Sequence, residues 1–384
     1  MNLFFYLLLY YKLVELKDKV IKNIETKIKI ENQKINEMKK INLKLSSQIK
    51  CFSPLNNNKY ITIGLKTGQI DIYEIPENQN SSDGSEYFKT KLSFKIFDNE
   101  IKYISELDEN LLAVTDGKNI IKIIQCKNDM KEYFVADEIP INDDNIIYSM
   151  INLPMLSQKE NKHYFCTADD NHIKIYKSNK NLKNSKRIED LDKNKYENYE
   201  KNKEDININK VLKLKFEVYK DIELNTLTRC LIEVNDKYIA AACNKIKTIK
   251  FFDTTKDFEE VSEVKKISLV SGSNILKVIP NKNILIAACT DGFIIICTKK
   301  LQKLKYIHCT YSVLSLEIFN DNTIICCCSS EKDNRIKQYE ISDYFCFKKL
   351  SERKIYNNYE IWTLKKINER IFYLNNTDII NYLT

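Results

Sequence analysis

Residues 49–75 read IKCFSPLNNNKYITIGLKTGQIDIYEI and combine three short apolar runs with two polar breaks. The first break is an Asn-rich corner, and the second is a Lys-Thr-Gly turn. Short runs of β-branched and aromatic residues, bounded by Asn, Asp, Lys and Gly, are typical of antiparallel strands joined by tight turns. The stretch therefore predicts a three-stranded antiparallel unit.

The same unit recurs along the chain. A second copy, IKYISELDENLLAVTDGKNIIKIIQC, begins at Ile101 and matches the first nearly position by position, with an Asp-Gly turn before its last run. Seven copies are recognisable, and they begin at Ile49, Ile101, Ile146, Leu227, Ile275, Val313 and Ile361. Their spacing of about 40 to 50 residues, apart from one longer gap, is that of a repeat protein.

A fourth short apolar run lies between successive copies. These runs are KTKLSFKIF, MKEYFVADEI, VLKLKFEVY, EVKKISLV, KLKYIHC and YFCFKKLS. Four antiparallel strands repeated at this period are typical of a β-propeller, in which each blade buries its apolar faces against its neighbours. The sequence therefore predicts an all-β, seven-bladed β-propeller of four-stranded antiparallel blades over residues 41–384, with six or eight blades as alternatives.

Closure of the ring needs one more strand, because the seventh copy ends after its third run. Residues 41–47, INLKLSS, alternate apolar and polar side chains and lie just before the first copy. An open ring would leave two unpaired strand edges. We therefore predict that residues 41–47 complete the last blade and tie the two ends of the domain together.

Two segments do not follow the repeat. Residues 179–210 consist almost entirely of Asn, Lys, Glu and Asp. Such a segment cannot bury enough apolar surface to order itself, so we predict a disordered or partly helical surface insertion. Residues 1–40 predict an N-terminal α-helix instead, which pairs with itself over residues 14–38 as a coiled coil or packs on the propeller. Its apolar heptad is Val14, Ile21, Ile24, Ile28, Ile35 and Met38.

Composition restricts the classes of function. A net charge of +8, from 61 basic and 53 acidic residues spread along the chain, indicates a solvated lysine-rich surface, so no nucleic-acid partner is expected. The apolar run from Leu3 to Tyr11 is too short to span a bilayer, and no membrane association is expected. The twelve cysteines include no Cys-x-x-Cys pair and stand mostly in apolar runs, which indicates buried free thiols and a cytoplasmic location.

No combination of residues indicates catalysis, a metal site or another cofactor. The three histidines are isolated in the sequence, and Cys326, Cys327 and Cys328 alternate between the two faces of a predicted strand. Acidic residues recur in the turn between the second and third strands of a copy, where turn chemistry explains them without a metal. These are Asp116, Asp169, Asp170 and Asp291. We therefore expect a protein that is not an enzyme.

The repeats resemble those of the WD-repeat (WD40-like) β-propeller family over residues 41–384. Phe52, Ser53 and Pro54 occupy the position of that family's Phe-Ser-Pro corner. No Gly-His precedes the innermost strands, and other dipeptides replace the family's Trp-Asp. These are Tyr73-Glu74, Tyr176-Lys177, Phe252-Asp253 and Tyr339-Glu340. An aromatic residue there can still pack between blades, whereas the family's His-to-Asp hydrogen-bond network cannot form.

This resemblance implies a scaffold that docks protein or peptide partners on the loops at one face of the ring. The candidate partner-binding residues lie at the start of the innermost strands, and Tyr and Arg among them are types enriched at binding hot spots. They are Glu100, Tyr103, Asn145, Tyr148, Arg229, Asn274, Lys277, Glu360 and Trp362. A degenerate propeller enzyme, a lipid- or polyanion-binding propeller and a substrate-receptor subunit of a ubiquitin-ligase-type assembly are the alternatives.

Overall fold

Four-stranded antiparallel sheets make up the fold. A computed structural model of the chain describes residues 38–41, 47–55, 58–75, 88–127, 129–141, 146–182, 214–265, 276–290, 292–309, 312–330, 333–342, 344–355, 361–367, 370–375 and 380–383. Within these ranges the chain forms 28 strands, one α-helix and two short 3-10 turns. Every one of these strands belongs to a four-stranded antiparallel sheet.

The first strand, β1 (Met38–Ile41), belongs to the last sheet, and the strands that follow it form sheets in chain order. Sheet 1 contains β2 (Ile49–Leu55), β3 (Tyr60–Leu65), β4 (Gln69–Glu74) and β5 (Lys89–Lys95). Sheet 2 contains β6 (Tyr103–Asp108), β7 (Leu111–Thr115), β8 (Ile120–Lys127) and β9 (Glu132–Pro140). Sheet 3 contains β10 (Ser149–Asn152), β11 (Lys162–Ala168), β12 (His172–Asn181) and β13 (Phe216–Glu223).

The next three sheets repeat this order of four consecutive strands. Sheet 4 contains β14 (Thr228–Glu233), β15 (Tyr238–Cys243), β16 (Thr248–Asp253) and β17 (Glu259–Lys265). Sheet 5 contains β18 (Leu276–Ile279), β19 (Ile284–Cys289), β20 (Gly292–Cys297) and β21 (Gln302–His308). Sheet 6 contains β22 (Ser312–Asn320), β23 (Thr323–Ser330), β24 (Asp333–Ile341) and β25 (Phe347–Ile355).

Sheet 7 joins the two ends of the described chain. It contains β26 (Ile361–Ile367), β27 (Arg370–Asn375), β28 (Ile380–Leu383) and β1. Strand β1 pairs antiparallel with β28, from Met38 opposite Leu383 to Ile41 opposite Ile380. An N-terminal strand therefore completes this sheet, but it comes earlier than the predicted residues 41–47.

The position of β1 also corrects the predicted N-terminal helix. Residues 38–40 were assigned to that helix, and they form a strand instead. The free edge of β28 offers ladder hydrogen bonds, and such tertiary pairing overrides a local helical pattern. Residues 1–37, which carry the rest of the predicted helix, lie outside the described residues.

The apolar cores lie between neighbouring sheets. Leu55 and Ile70 of sheet 1 pack with Val114 and Ile124 of sheet 2, and equivalent clusters lie between the sheets that follow. At the positions of the family's Trp, Tyr73 packs with Ile367 of sheet 7. Phe252 of sheet 4 likewise packs with residues of sheet 3, including Leu153 and Tyr164. The predicted packing of aromatic residues between sheets is therefore present.

One helix was missed by the sequence analysis. Residues 154–160, for which the repeat predicts no helix, fold as α1 (Pro154–Glu160). Proline fits the first turn of a helix, where its missing N–H costs nothing. The carboxylate of Glu233 in sheet 4 accepts hydrogen bonds of 2.9 Å from the N–H groups of Met155 and Leu156. Among the described residues no helix reaches the length and apolar character needed to cross a bilayer.

Three outer strands and one predicted segment are displaced from their predicted positions. Strand β13 lies at residues 216–223, later than the predicted 211–219, and β25 lies at 347–355, later than the predicted 344–351. Strand β17 lies at 259–265, earlier than the predicted 263–270. A 3-10 turn at Thr254–Lys256 ends β16 and reverses the chain early, which fixes the start of β17. The predicted insertion also begins too early, because Asn181 is still paired with Lys162; residues 183–213 lie outside the described ranges.

Candidate functional site

The turn face of the protein, as we name it, is the end of the sheets where each innermost strand begins. The first strands of successive sheets, from β2 to β26, contact one another in chain order, and we call the line about which they are arranged the axis. In sheets 1 to 3 the turn between the second and third strands lies beside the chain that leads into the next sheet. The N–H of Ile101 donates to the Leu65 carbonyl at 3.2 Å, and that of Ile147 donates to Gly117 at 2.8 Å.

Carboxylates at the turn face stabilise the turns by accepting hydrogen bonds from backbone N–H groups. Asp116 Oδ1 accepts from the N–H groups of Lys118 and Asn119 at 3.0 and 2.9 Å. Burial acts to raise the pKa of Asp116, but these hydrogen bonds outweigh it and hold the pKa below its usual value. Asp169 makes the equivalent bonds to Asn171 and His172, whereas Asp291 lies outside the described residues. No group of three or more His, Cys, Asp or Glu suited to a metal occurs among those the structure describes.

Three sequence-predicted residues come together at the turn face and form what we call the Tyr–Arg cluster: Tyr103, Tyr148 and Arg229. The Tyr103 hydroxyl donates to the Tyr148 carbonyl at 2.7 Å. The Arg229 guanidinium carbon lies 5.3 Å from the centre of the Tyr148 ring, a distance suited to a cation–π contact. Burial raises the pKa of Tyr103, and the charge of Arg229 acts against this rise. The three residues belong to three successive sheets.

The Tyr–Arg cluster contains a hydrogen-bond donor without an acceptor among the described residues, the Nε atom of Arg229. It is buried and has no hydrogen-bond partner in the described part of the chain. A buried donor without an acceptor costs free energy that a ligand acceptor would recover. The cluster therefore combines an aromatic surface with an available donor.

A second group on the innermost strands is the axial lysine cluster, formed by Lys277, Glu317 and Lys365. Lys277 Nζ lies 2.8 Å from Glu317 Oε2, and the two side chains are 16% and 11% exposed. Desolvation, together with the charge of Lys277, lowers the pKa of Lys365 to about 8, although Glu317 acts in the opposite direction. Only Lys277 of this cluster was among the sequence-predicted residues.

Two cysteine thiols, those of Cys51 and Cys230, interact electrostatically with residues of both clusters. Burial raises the pKa of Cys51 to about 12, and the charges of Lys365 and Lys102 act against this rise. Cys230, next to Arg229, interacts electrostatically with both Tyr103 and Lys365. The Tyr–Arg cluster and the axial lysine cluster are therefore neighbours on the innermost strands, within electrostatic reach of the same two thiols. All twelve cysteines are free thiols.

The other predicted site residues divide into two groups. Glu100 forms ion pairs with Lys50, at 3.0 Å, and with Lys102. The hydrogen bond from Lys102 lowers the pKa of Glu100, and burial opposes this. Asn145, Asn274 and Glu360, together with the side chain of Trp362, lie outside what the structure describes.

Glu317 and Lys365 could have been found from strand periodicity. Glu317 lies two residues beyond Ser315, and Lys365 lies two beyond Thr363, the positions equivalent to Tyr103 in the last two copies. Side chains two apart on a strand point to the same face. Continuing each innermost strand by one further step of two residues would therefore have brought both charged residues into the candidate site.

The axial lysine cluster predicts a pH-dependent stability. Below pH 8 Lys365 carries a desolvated charge, so Lys365→Met is expected to raise the free energy of unfolding by about 2 kcal/mol. Between the pKa of Lys365 in the folded chain, about 8, and the higher pKa of an ordinary lysine, the unfolded chain binds more protons than the folded chain. The free energy of unfolding of the unaltered chain therefore rises with pH in this range. The advantage of the variant should therefore shrink between pH 7.5 and 9.5 in denaturant unfolding. A constant difference between the two chains across this range would contradict the assignment.

The fold is similar to that of a solved structure. The β-propeller domain of Cps50 (Swd1) from Myceliophteria thermophila is similar to this chain with a TM-score of 0.59, 9% sequence identity, and coverage of 90% of this chain and 99% of that one. The chain folds as a β-propeller. No protein-family model and no curated protein matches its sequence. At 9% identity the likeness concerns the fold alone, and the all-β propeller predicted from the repeats is confirmed.

Proposed function

We propose that the protein is a non-catalytic, WD-repeat-like scaffold that docks a protein or peptide partner on the turn face. The Tyr–Arg cluster is the observation that carries this proposal. Tyrosine and arginine are enriched where partners bind most strongly, and the Arg229 Nε offers a buried donor that a partner carbonyl would satisfy. A substrate-receptor role in a ligase-type assembly would use the same surface.

We further propose that the sheets form a closed ring of seven blades. The pairing of β1 with β28 supports this, because it completes the sheet that contains the C-terminal strands. Closure removes unpaired edges and holds the loops of the turn face rigid. A rigid surface loses less conformational entropy when a partner binds.

The proposal also assigns self-association to the N-terminal segment. Residues 14–37 retain most of the predicted heptad and lead directly into β1. We propose that they pair with a second copy of the chain, in the cytoplasm, where the free thiols stay reduced. Two turn faces held together in this way gain avidity without new contacts.

The docking proposal predicts that Tyr103→Ala combined with Arg229→Ala abolishes capture of protein partners by the full chain. The control is Tyr344→Ala combined with Lys299→Ala, which removes the same aromatic and cationic side-chain types from exposed positions; Tyr344 is 86% exposed. Affinity capture followed by mass spectrometry compares both with the unaltered chain, after circular dichroism has confirmed that each is folded. Equal capture by the two double variants would contradict the proposal.

A further inference from the structure

The two clusters on the innermost strands contain three cationic side chains and one carboxylate. Arg229, Lys277 and Lys365 come from the innermost strands β14, β18 and β26, and Glu317 comes from β22. Glu317 is paired with Lys277. Two carboxylates at the turn face have their own partners, since Glu100 forms ion pairs with Lys50 and Lys102 and Asp170 is hydrogen-bonded to Tyr148. Neither Arg229 nor Lys365 has an ion-pair partner among the described residues.

Such an arrangement is unfavourable for the protein by itself. A charge removed from water costs free energy unless it is paired and hydrogen-bonded. Lys365 experiences this cost directly, since both desolvation and Lys277 disfavour its charged form. Desolvation also strengthens the electric field of these charges, because the surrounding protein screens them less than water does. An anion bound between them would offset these costs together.

The buried Nε of Arg229 adds a directional element. Guanidinium groups form charge-assisted hydrogen bonds with the planar oxygens of carboxylates and phosphates, and these bonds are roughly twice as strong as neutral ones. The lysines contribute as point charges that any oxyanion geometry can accept. The donors therefore favour an oxyanion over a halide.

We propose that the axis of the propeller is an oxyanion-binding site in which Arg229, Lys277 and Lys365 hold a phosphate or carboxylate group. The group belongs either to a small free anion or to an acidic or phosphorylated side chain of a docked peptide. Binding of the free anion needs no protein partner. The site can therefore exist whether or not the turn face docks a protein.

The test measures binding of inorganic pyrophosphate to the full chain by calorimetry at constant ionic strength, with chloride as the comparison anion. We expect Lys365→Met and Arg229→Gln each to weaken pyrophosphate binding about tenfold. The matched control, Lys299→Met, alters an exposed lysine in the turn before β21 and should leave the affinity unchanged. Glu317→Gln should tighten binding several-fold, a gain that loss of folding cannot produce.

A second probe distinguishes the two sources of the anion. The peptide Gly-Gly-phosphoserine-Gly-Gly, with blocked ends, is compared with its unphosphorylated form. Tighter binding of the phosphopeptide than of pyrophosphate assigns the site to a partner side chain, and the reverse order assigns it to a free anion. The proposal is overturned if neither probe binds better than chloride, or if Lys365→Met and Lys299→Met bind pyrophosphate equally. Because no protein partner is used, these results are independent of the docking test.

Discussion

Glu317→Ala is expected to lower the free energy of unfolding by about 3 kcal/mol at pH 7. The substitution removes the carboxylate that pairs with Lys277 at 2.8 Å and whose charge also stabilises the charged form of Lys365. Both lysines would then keep desolvated charges beside each other. Removing one member of a buried pair costs more than the pair itself contributes, because the remaining charge stays buried without compensation.

The comparison for this variant is Glu259→Ala, which removes an exposed carboxylate from β17. Its expected effect is below about 0.5 kcal/mol. Combining Glu317→Ala with Lys365→Met should restore part of the lost stability, because the second change removes one of the uncompensated charges. Urea unfolding of the four chains measures these differences. The assignment of the axial lysine cluster is wrong if Glu317→Ala and Glu259→Ala destabilise equally.

Gly68→Ala is expected to destabilise the fold by about 3 kcal/mol or more. Gly68 has a φ of +79°, which other residues adopt at a cost, and it lies in the turn of sheet 1 beside the chain leading into sheet 2. A Cβ added here would lie 2.1 Å from the carbonyl oxygen of Phe97 and 2.6 Å from that of Asn99. Backbone atoms cannot move aside as a flexible side chain can.

Gly117→Ala is the matched control, because Gly117 occupies the equivalent turn of sheet 2 with a φ of +83°. The nearest atom to its added Cβ is Lys102 Cγ at 2.9 Å, which belongs to a flexible side chain. The expected cost is about 1 kcal/mol, mostly from the backbone conformation. Thermal unfolding should therefore show a much lower melting temperature for Gly68→Ala. Equal melting temperatures would show that the turn does not contact the next sheet closely.

The fold could be predicted because its information is repeated along the chain. Each copy carries the same sequence of apolar runs and polar turns, so errors in one copy are corrected by the others. Residues 154–160 and β1 were misassigned for a different reason. Helix α1 depends on Glu233 of another sheet, and β1 depends on β28 at the opposite end of the chain. Such long-range partners leave no local pattern.

The candidate site was accessible to sequence analysis in part. Tyr103, Tyr148 and Arg229 were selected because they occupy equivalent positions in successive copies, and the structure brings them together. Glu317 and Lys365 were missed because the candidates were taken only from the start of each innermost strand. Their significance also depends on desolvation and on mutual distance, and neither quantity can be read from residue type.

The central claim is that a protein partner docks on the turn face, and site-specific photo-crosslinking tests it most directly. The photoreactive amino acid p-benzoylphenylalanine replaces either Tyr148, in the Tyr–Arg cluster, or Tyr219, which is 46% exposed on the outermost strand of the same sheet. After irradiation of captured complexes, the claim predicts cross-links to the partner from position 148 and none from position 219. Cross-links from position 219 alone would place the partner on the outer rim of the propeller and contradict the claim.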